Sequence, residues 1–211
     1  MALNTCVVYG SARGSRQGIK AARFIMRQLE SRGHDATLID SEELRLPMLD
    51  KMYKEFEPGK APASMETIAA AFRNADGFII VSAEYNHSIP AALKNLLDHF
   101  QKEYLYKPSG IVTYSAGPFG GVRGLANLRT VMAELGASSI PSSFPVSRVQ
   151  SAFEDDGAVR DTPGEMRLFL RQAMPRMYGR ETSPHRIRPK MVLTGLRLLI
   201  PTDRMDLGCS T

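Results

Sequence analysis

The 211-residue chain has only two cysteines, Cys6 inside an apolar run and Cys209 near its end. Two so placed make neither a disulfide framework nor a metal site, and the chain reads as one for a reducing, cytoplasmic setting. No stretch reaches the roughly 18 consecutive apolar residues of a membrane span. Met1-Ala-Leu-Asn-Thr-Cys-Val-Val-Tyr-Gly10 runs almost directly into a strand-like segment, leaving no room for a signal peptide. A zinc-type Cys/His spacing and the basic–aromatic interleaving of nucleic-acid binders are also missing. The net charge of +5 therefore does not point to nucleic acid, and much of it lies between Arg160 and Arg204. A solvated helix face plus a tail that docks on a partner subunit accounts for it; a polyanion or nucleotide partner is the competing account. No internal repeat or low-complexity tract occurs.

What is present suits a folded chain: 43% hydrophobic and 23% charged residues, enough for one domain or one domain with an appendage. Val7-Val8-Tyr9 reads as a first strand ending at Gly10. Ala22, Ile25, Met26 and Leu29 then fall at i, i+3, i+4 and i+7 of a helix closed by Gly33. Ala36–Ile39 reads as a second strand ending at Asp40, and 41–63, punctuated by Pro47, Pro58, Gly59 and Pro62, as loop. A short helix over 64–74 takes Ser64 as N-cap, with Glu66 and Thr67 in its first turns. Gly77-Phe-Ile-Ile-Val81 is apolar without alternation, as in a strand covered on both faces. Leu93, Leu96, Leu97 and Phe100 repeat the helical stripe, with Pro90 in the first turn. Gly110–Tyr114 is a fourth strand, and Leu125, Leu128, Met132 and Leu135 a further stripe stopped by Gly136. A fifth strand falls within 138–147, interrupted by Pro141 and Pro145. Met166, Phe169, Leu170 and Ala173 mark a last helix. The alternation predicts an α/β fold: a five-stranded parallel sheet wrapped by helices, in the order 2-1-3-4-5. The domain is expected to span 1–178, with 179–211 a C-terminal extension that includes Met191–Pro201 and has no assignable role.

Ligands in such folds sit beyond the carboxyl ends of the strands, so the loops after strands one, three and four matter most. The first is Gly10-Ser-Ala-Arg13-Gly14-Ser-Arg16-Gln17-Gly18. Small residues let the backbone approach an anion, hydroxyls donate, and Arg13 and Arg16 add charge-assisted contacts suited to phosphate. A kinase-type P-loop would end in Gly-Lys-Ser/Thr, and Gln17-Gly18-Ile19 does not. A dinucleotide fingerprint, with Asp40 as the ribose-binding acid, would need glycines closer than positions 10, 14 and 18, and remains a weaker alternative. A single phosphate, as in a mononucleotide, is the third reading; a turn with solvated arginines is the bland one. Glu84-Tyr85-Asn86-His87 follows strand three. Glu84 and His87 could form an acid–base pair, but no nucleophile or metal ligand accompanies them. The same residues read otherwise as a carboxylate at a helix N-terminus, or as a shelf for a flat heterocycle against Tyr85. After strand four, Gly117, Gly120 and Gly121 permit close backbone approach, and Arg123 enters the next helix.

Together the three loops resemble the NADPH-dependent FMN reductase family, a flavodoxin-like group that includes quinone and azo-dye reductases. Gly10-Ser11-Ala12-Arg13 with Arg16 and Gly18, Glu84–Ser88 with Pro90, Leu93, Lys94, Asn95 and Asp98, and Ser115 with Gly117, Gly120, Gly121 and Arg123 carry the resemblance over about 3–150. It implies a three-layer sandwich and an FMN phosphate held by Ser11, Arg13, Arg16, Gln17 and Gly18. Glu84, Tyr85 and Asn86 would shape the loop beside the isoalloxazine; Ser115, Gly117, Gly120, Gly121 and Arg123 would line its polar edge. The chain has Ala83 where the family usually places a proline. The implied activity is ping-pong hydride transfer from NADPH through FMN to quinone, azo or flavin acceptors, with no catalytic side chain. Pairing into a homodimer or homotetramer through helices flanking the flavin is implied too. A flavin-binding redox sensor acting on a protein partner, motivated by the arginine-rich tail, is the alternative from another class. A flavodoxin-type electron carrier is disfavoured by a pI near 9.3.

Overall fold

Seven consecutive residues, β3 (Gly77–Ala83), are buried without alternation, a pattern that requires cover on both faces of the strand. The computed structural model describes residues 2–160 and supplies that cover. Strands β1 (Asn4–Tyr9), β2 (Asp35–Asp40), β4 (Ser109–Tyr114) and β5 (Ser139–Val146) join β3 in one sheet of order β2-β1-β3-β4-β5. Every pairing is parallel. This is the flavodoxin-like arrangement expected from the strand–helix alternation.

Helices α1 (Ile19–Glu30), α2 (Ser41–Leu44), α3 (Ala63–Asn74), α4 (Ala91–Asp98), α5 (Val122–Glu134) and α6 (Val149–Ala152) complete the described chain. Two apolar layers result. One packs Ala22, Ile25 and Leu29 of α1 and Phe153 against Val7, Ile79, Val112 and Phe144. The other packs Ile68 and Phe72 of α3, Leu93 and Leu97 of α4, and Leu128 and Met132 of α5 against Val8, Ile80 and Ile111. In α1, α4 and α5 these are the helical stripes of the sequence, turned onto the sheet. Among the described residues no helix is long and apolar enough to cross a membrane.

Local details depart from the sequence reading. Ser64 lies inside α3: Pro62 is its cap residue, the Pro62 carbonyl accepts from Glu66 N, and the Glu66 carboxylate reaches back to Ala61 N at 3.3 Å. The side chain that serves the start of α3 is thus Glu66, not Ser64. Pro90 is likewise the cap residue of α4, one position outside it, and Phe100 lies past its end, yet buried. Residues 41–63 hold α2 and a 3₁₀ turn at Tyr53–Glu55; α2 exists because Asp40 caps it, accepting from Glu42 N at 3.0 Å. Strand β5 slips register against β4 between Ser109 and Ile111, opposite the stretch that contains Pro141. The expected helix at Met166–Ala173 and the extension 179–211 lie outside the described residues.

Candidate functional site

Three loops meet at the carboxyl edge of β1, β3 and β4. Gly10 begins the first, its amide bonded to Val81 O at 3.1 Å, and a Cβ there would stand 2.5 Å from Leu93 Cβ. The loop can therefore lie flat on α4 only as glycine. Past it, the amides of Ser11, Ala12, Arg13, Gly14 and Ser15 donate to no group among the described residues. Helix α1 opens immediately behind them with no side-chain cap and no acid in its first turn. Unpaired amides in succession at an uncapped helix N-terminus form a seat for an anion. A Cβ on Gly14 would meet nothing, so the approach is open. Arg13 is exposed and its guanidinium has no partner among the described residues. Gln17 is exposed, its amide loosely bonded to Ser15 O at 3.5 Å.

Gly18 and Arg16 serve the loop from beneath. A Cβ on Gly18 would fall 2.0 Å from Tyr114 Cζ, so this glycine lets the end of α1 sit directly on that ring. Tyr114 stacks on Tyr9 at 6.2 Å and donates to the Tyr9 hydroxyl at 3.2 Å. Burial raises both phenols above their ordinary value, most strongly Tyr114, whose neighbour Tyr9 adds to the effect. Both stay protonated and neutral. Ser11 Oγ lies 3.0 Å from the Tyr85 hydroxyl, tying the first loop to the second. Arg16 is bonded to the Asp40 carboxylate and to Ser11 O at 3.3 Å, with its guanidinium 5.3 Å from the Tyr9 ring.

In the second loop Tyr85 N donates to Ser88 O and Ser88 N to Tyr85 O, with Asn86 and His87 between them at φ 51° and 62°. Two residues at positive φ inside one doubly bonded pair make a type I′ turn. Asn86 and His87 are its exposed tip. Glu84 does not partner His87. Its Oε2 accepts from Arg123 N at 2.8 Å and Gly124 N at 3.3 Å, and Oε1 lies 3.7 Å from the Arg123 guanidinium. A carboxylate on the first amides of α5 satisfies orphan donors and opposes the helix dipole. The helix it serves is α5, across the cleft, rather than its own α4. Asn127 completes the tie, donating to Ser88 Oγ at 3.1 Å. Ala83 ends β3 in register with Tyr114.

The third loop folds back over the end of β4. Gly120 and Gly121 take φ 61° and 76°, and a Cβ on Gly121 would stand 2.7 Å from Tyr114 O. Ser115 is fixed by Ser115 N to Val146 O and by Oγ to Gly117 O at 3.1 Å. A Cβ on Gly117 would meet nothing, which leaves that side open. Phe119 projects from the rim, 59% exposed, with the Arg123 guanidinium 4.6 Å over its ring. Tyr9, Tyr114 and Phe119 were not among the expected site residues, and Asp40, weighed only as a ribose-binding acid, is turned onto Arg16. The spacing of Tyr9 and Tyr114, each the last residue of its strand, was the available signal for two of them.

Comparison with known proteins places this geometry in context. The family model for NADPH-dependent FMN reductase matches residues 3–151. A NADH:(hydroxy)cinnamate reductase subunit, CrdA, of Vibrio ruber is 30% identical over 70% of this chain and 75% of its own length. A quinone reductase of Pseudomonas putida is 27% identical over 82% and 91%. Among solved structures, the flavoenzyme NAD(P)H:(acceptor) oxidoreductase FerB of Paracoccus denitrificans superposes with TM-score 0.64 at 21% identity, covering 83% of this chain and 95% of its own.

Proposed function

From the premise that the chain belongs to the NADPH-dependent FMN reductase family, we propose that it reduces quinone-, azo- or flavin-type acceptors with NAD(P)H by a ping-pong route. The observation that carries this is the row of unpaired amides from Ser11 to Ser15 at the uncapped start of α1. FMN fits there: its phosphate finds free donors, and Ser11, Arg13 and Gln17 stand around the same loop. Glu84, Tyr85 and Asn86 would flank the ring on one side. Ser115, Gly117, Gly120, Gly121 and Arg123 would flank it on the other. When bound, FMN supplies the redox chemistry, accepting electrons from NAD(P)H and delivering them to a second substrate.

The side chains hold and orient rather than react. Glu84 is spent on the amides of α5, and His87 stands at an exposed turn tip, so neither is set up as a proton-transfer pair. Gly117 keeps the mouth open beside Phe119, an exposed aromatic face that suits a flat acceptor. A homodimer or homotetramer goes with this reading. A reducing, cytoplasmic setting goes with Cys6, free and buried.

The test is spectroscopic. Purified protein given FMN should show a bound-flavin spectrum that bleaches anaerobically with NADPH and returns on adding a quinone. Initial rates should give parallel double-reciprocal lines. Arg13→Ala should weaken FMN binding about tenfold, the size of one charge-assisted contact. Absence of a bound-flavin spectrum would falsify the reading.

A further inference from the structure

Arg16 has the charge for a phosphate ligand, yet its guanidinium faces the protein. Nη1 donates to Asp40 Oδ1 and, at 3.3 Å, to the Ser11 carbonyl. The Asp40 side chain is 1% exposed, and its Oδ2 has no partner among the described residues. A carboxylate so buried depends for neutralisation on Arg16, its ion-pair partner among the described residues. Asp40 is held in turn at the end of β2, where it caps α2 through Glu42 N.

The contact with Ser11 has a geometric consequence. In a trans peptide the C=O and the following N–H point in opposite directions. Drawing the Ser11 carbonyl inward onto Arg16 therefore turns the Ala12 amide outward, among the unpaired amides of the loop. We propose that Asp40 is a positioning residue for the FMN phosphate: through Arg16 it fixes the Ser11–Ala12 peptide so that the Ala12 amide faces the anion. The inference rests on the FMN reading above. It gives Arg16 a role on the loop backbone and Asp40 a role that simple charge counting would invert. An acid beside a dianion site should weaken binding, so removing it should help; as a positioning residue, removing it should hurt.

The experiment measures dissociation constants of FMN and riboflavin, which lacks the phosphate, on apo-protein of the full chain by flavin fluorescence quenching. Asp40→Asn should raise the FMN constant at least tenfold while moving the riboflavin constant less than twofold. Arg16→Ala should do the same, and the double variant should be no worse than the poorer single one, because both act through one contact. Should Asp40→Asn melt early, Arg16→Gln reads the same contact from its more exposed end. Unchanged or tighter FMN binding in Asp40→Asn overturns the proposal. Equal losses for FMN and riboflavin overturn it too, since the pair would then merely hold the fold. Wild-type protein that binds neither flavin, or both equally, brings down the FMN reading before any variant is compared.

Discussion

His87 shows how a residue's backbone can matter more than its side chain. It occupies the second central position of a type I′ turn at φ 62°, where glycine is the usual occupant. His87→Gly should stabilise the protein by about 0.5–1 kcal/mol, read as a raised urea midpoint, because it relieves a left-handed L-residue. Reduction of bound flavin by NADPH should be unaffected; loss of that step with FMN still bound would restore His87 as an acid. Glu84 is the opposite case, since its side chain does the structural work. Glu84→Ala should cost about 1–2 kcal/mol, the usual range for a lost helix-terminal partner. A cost below about 0.3 kcal/mol would mean that solvent replaces it freely. The position of these residues after a buried strand was legible in the sequence. Their conformation was not, because Asn-His does not advertise a turn as Asn-Gly does. Nor could spacing reveal that Glu84 serves a helix beginning 38 residues later, at Val122.

At the scale of elements, periodicity was a good guide. The stripes Ala22–Leu29, Leu93–Phe100 and Leu125–Leu135 became α1, α4 and α5, with Phe100 and Leu135 falling just past the helix ends, because buried faces must repeat at the helical period. It failed for α2, whose four residues are too few for a stripe and whose existence rests on the Asp40 cap. Close approach was equally invisible. Gly18 read as a phosphate-loop glycine, while its lack of a Cβ is demanded by Tyr114 at 2.0 Å. Gly18→Ala should therefore destabilise the protein by about 2–3 kcal/mol, as overpacking does. Tyr114 cannot step aside, being 6% exposed and stacked on Tyr9. Combining Gly18→Ala with Tyr114→Leu should cost less than the sum of the two changes in equilibrium unfolding. Additive losses would place the strain elsewhere.

The whole molecule has a pH limit written into its core. Burial pushes the Cys6 thiol up to about 12 from 9.0, with Lys107 opposing. It also raises Tyr9, Tyr114 and, well above the ordinary value, Tyr104. In the unfolded chain these four groups ionise at their ordinary values, so above those values the native state binds more protons. Their contribution is complete below about pH 9 and is lost as pH rises toward 12. Each group can remove up to about 1.4 kcal/mol per pH unit within its window. Lys107, lowered by burial, acts in the other sense, one group against four among the described residues. The urea midpoint should fall steadily from pH 9 to 11; a flat profile would show that the core admits water to these groups. The sheet order that brings Tyr9 and Tyr114 together at the ends of β1 and β4 was legible as alternation. The burial of Tyr104, between α4 and β4, was not, because it depends on packing against Phe72 and Phe78 rather than on its own segment.

Glu84 and Tyr85 are adjacent in the chain yet reach in opposite directions, one to the start of α5 and the other to Ser11. The second loop is thus a keystone between two arches. Replacing it with a relative's loop would import half of each bond and leave the other half behind. Chimeras that exchange one loop should lose cohesion, and those that move all three as a cassette should keep it.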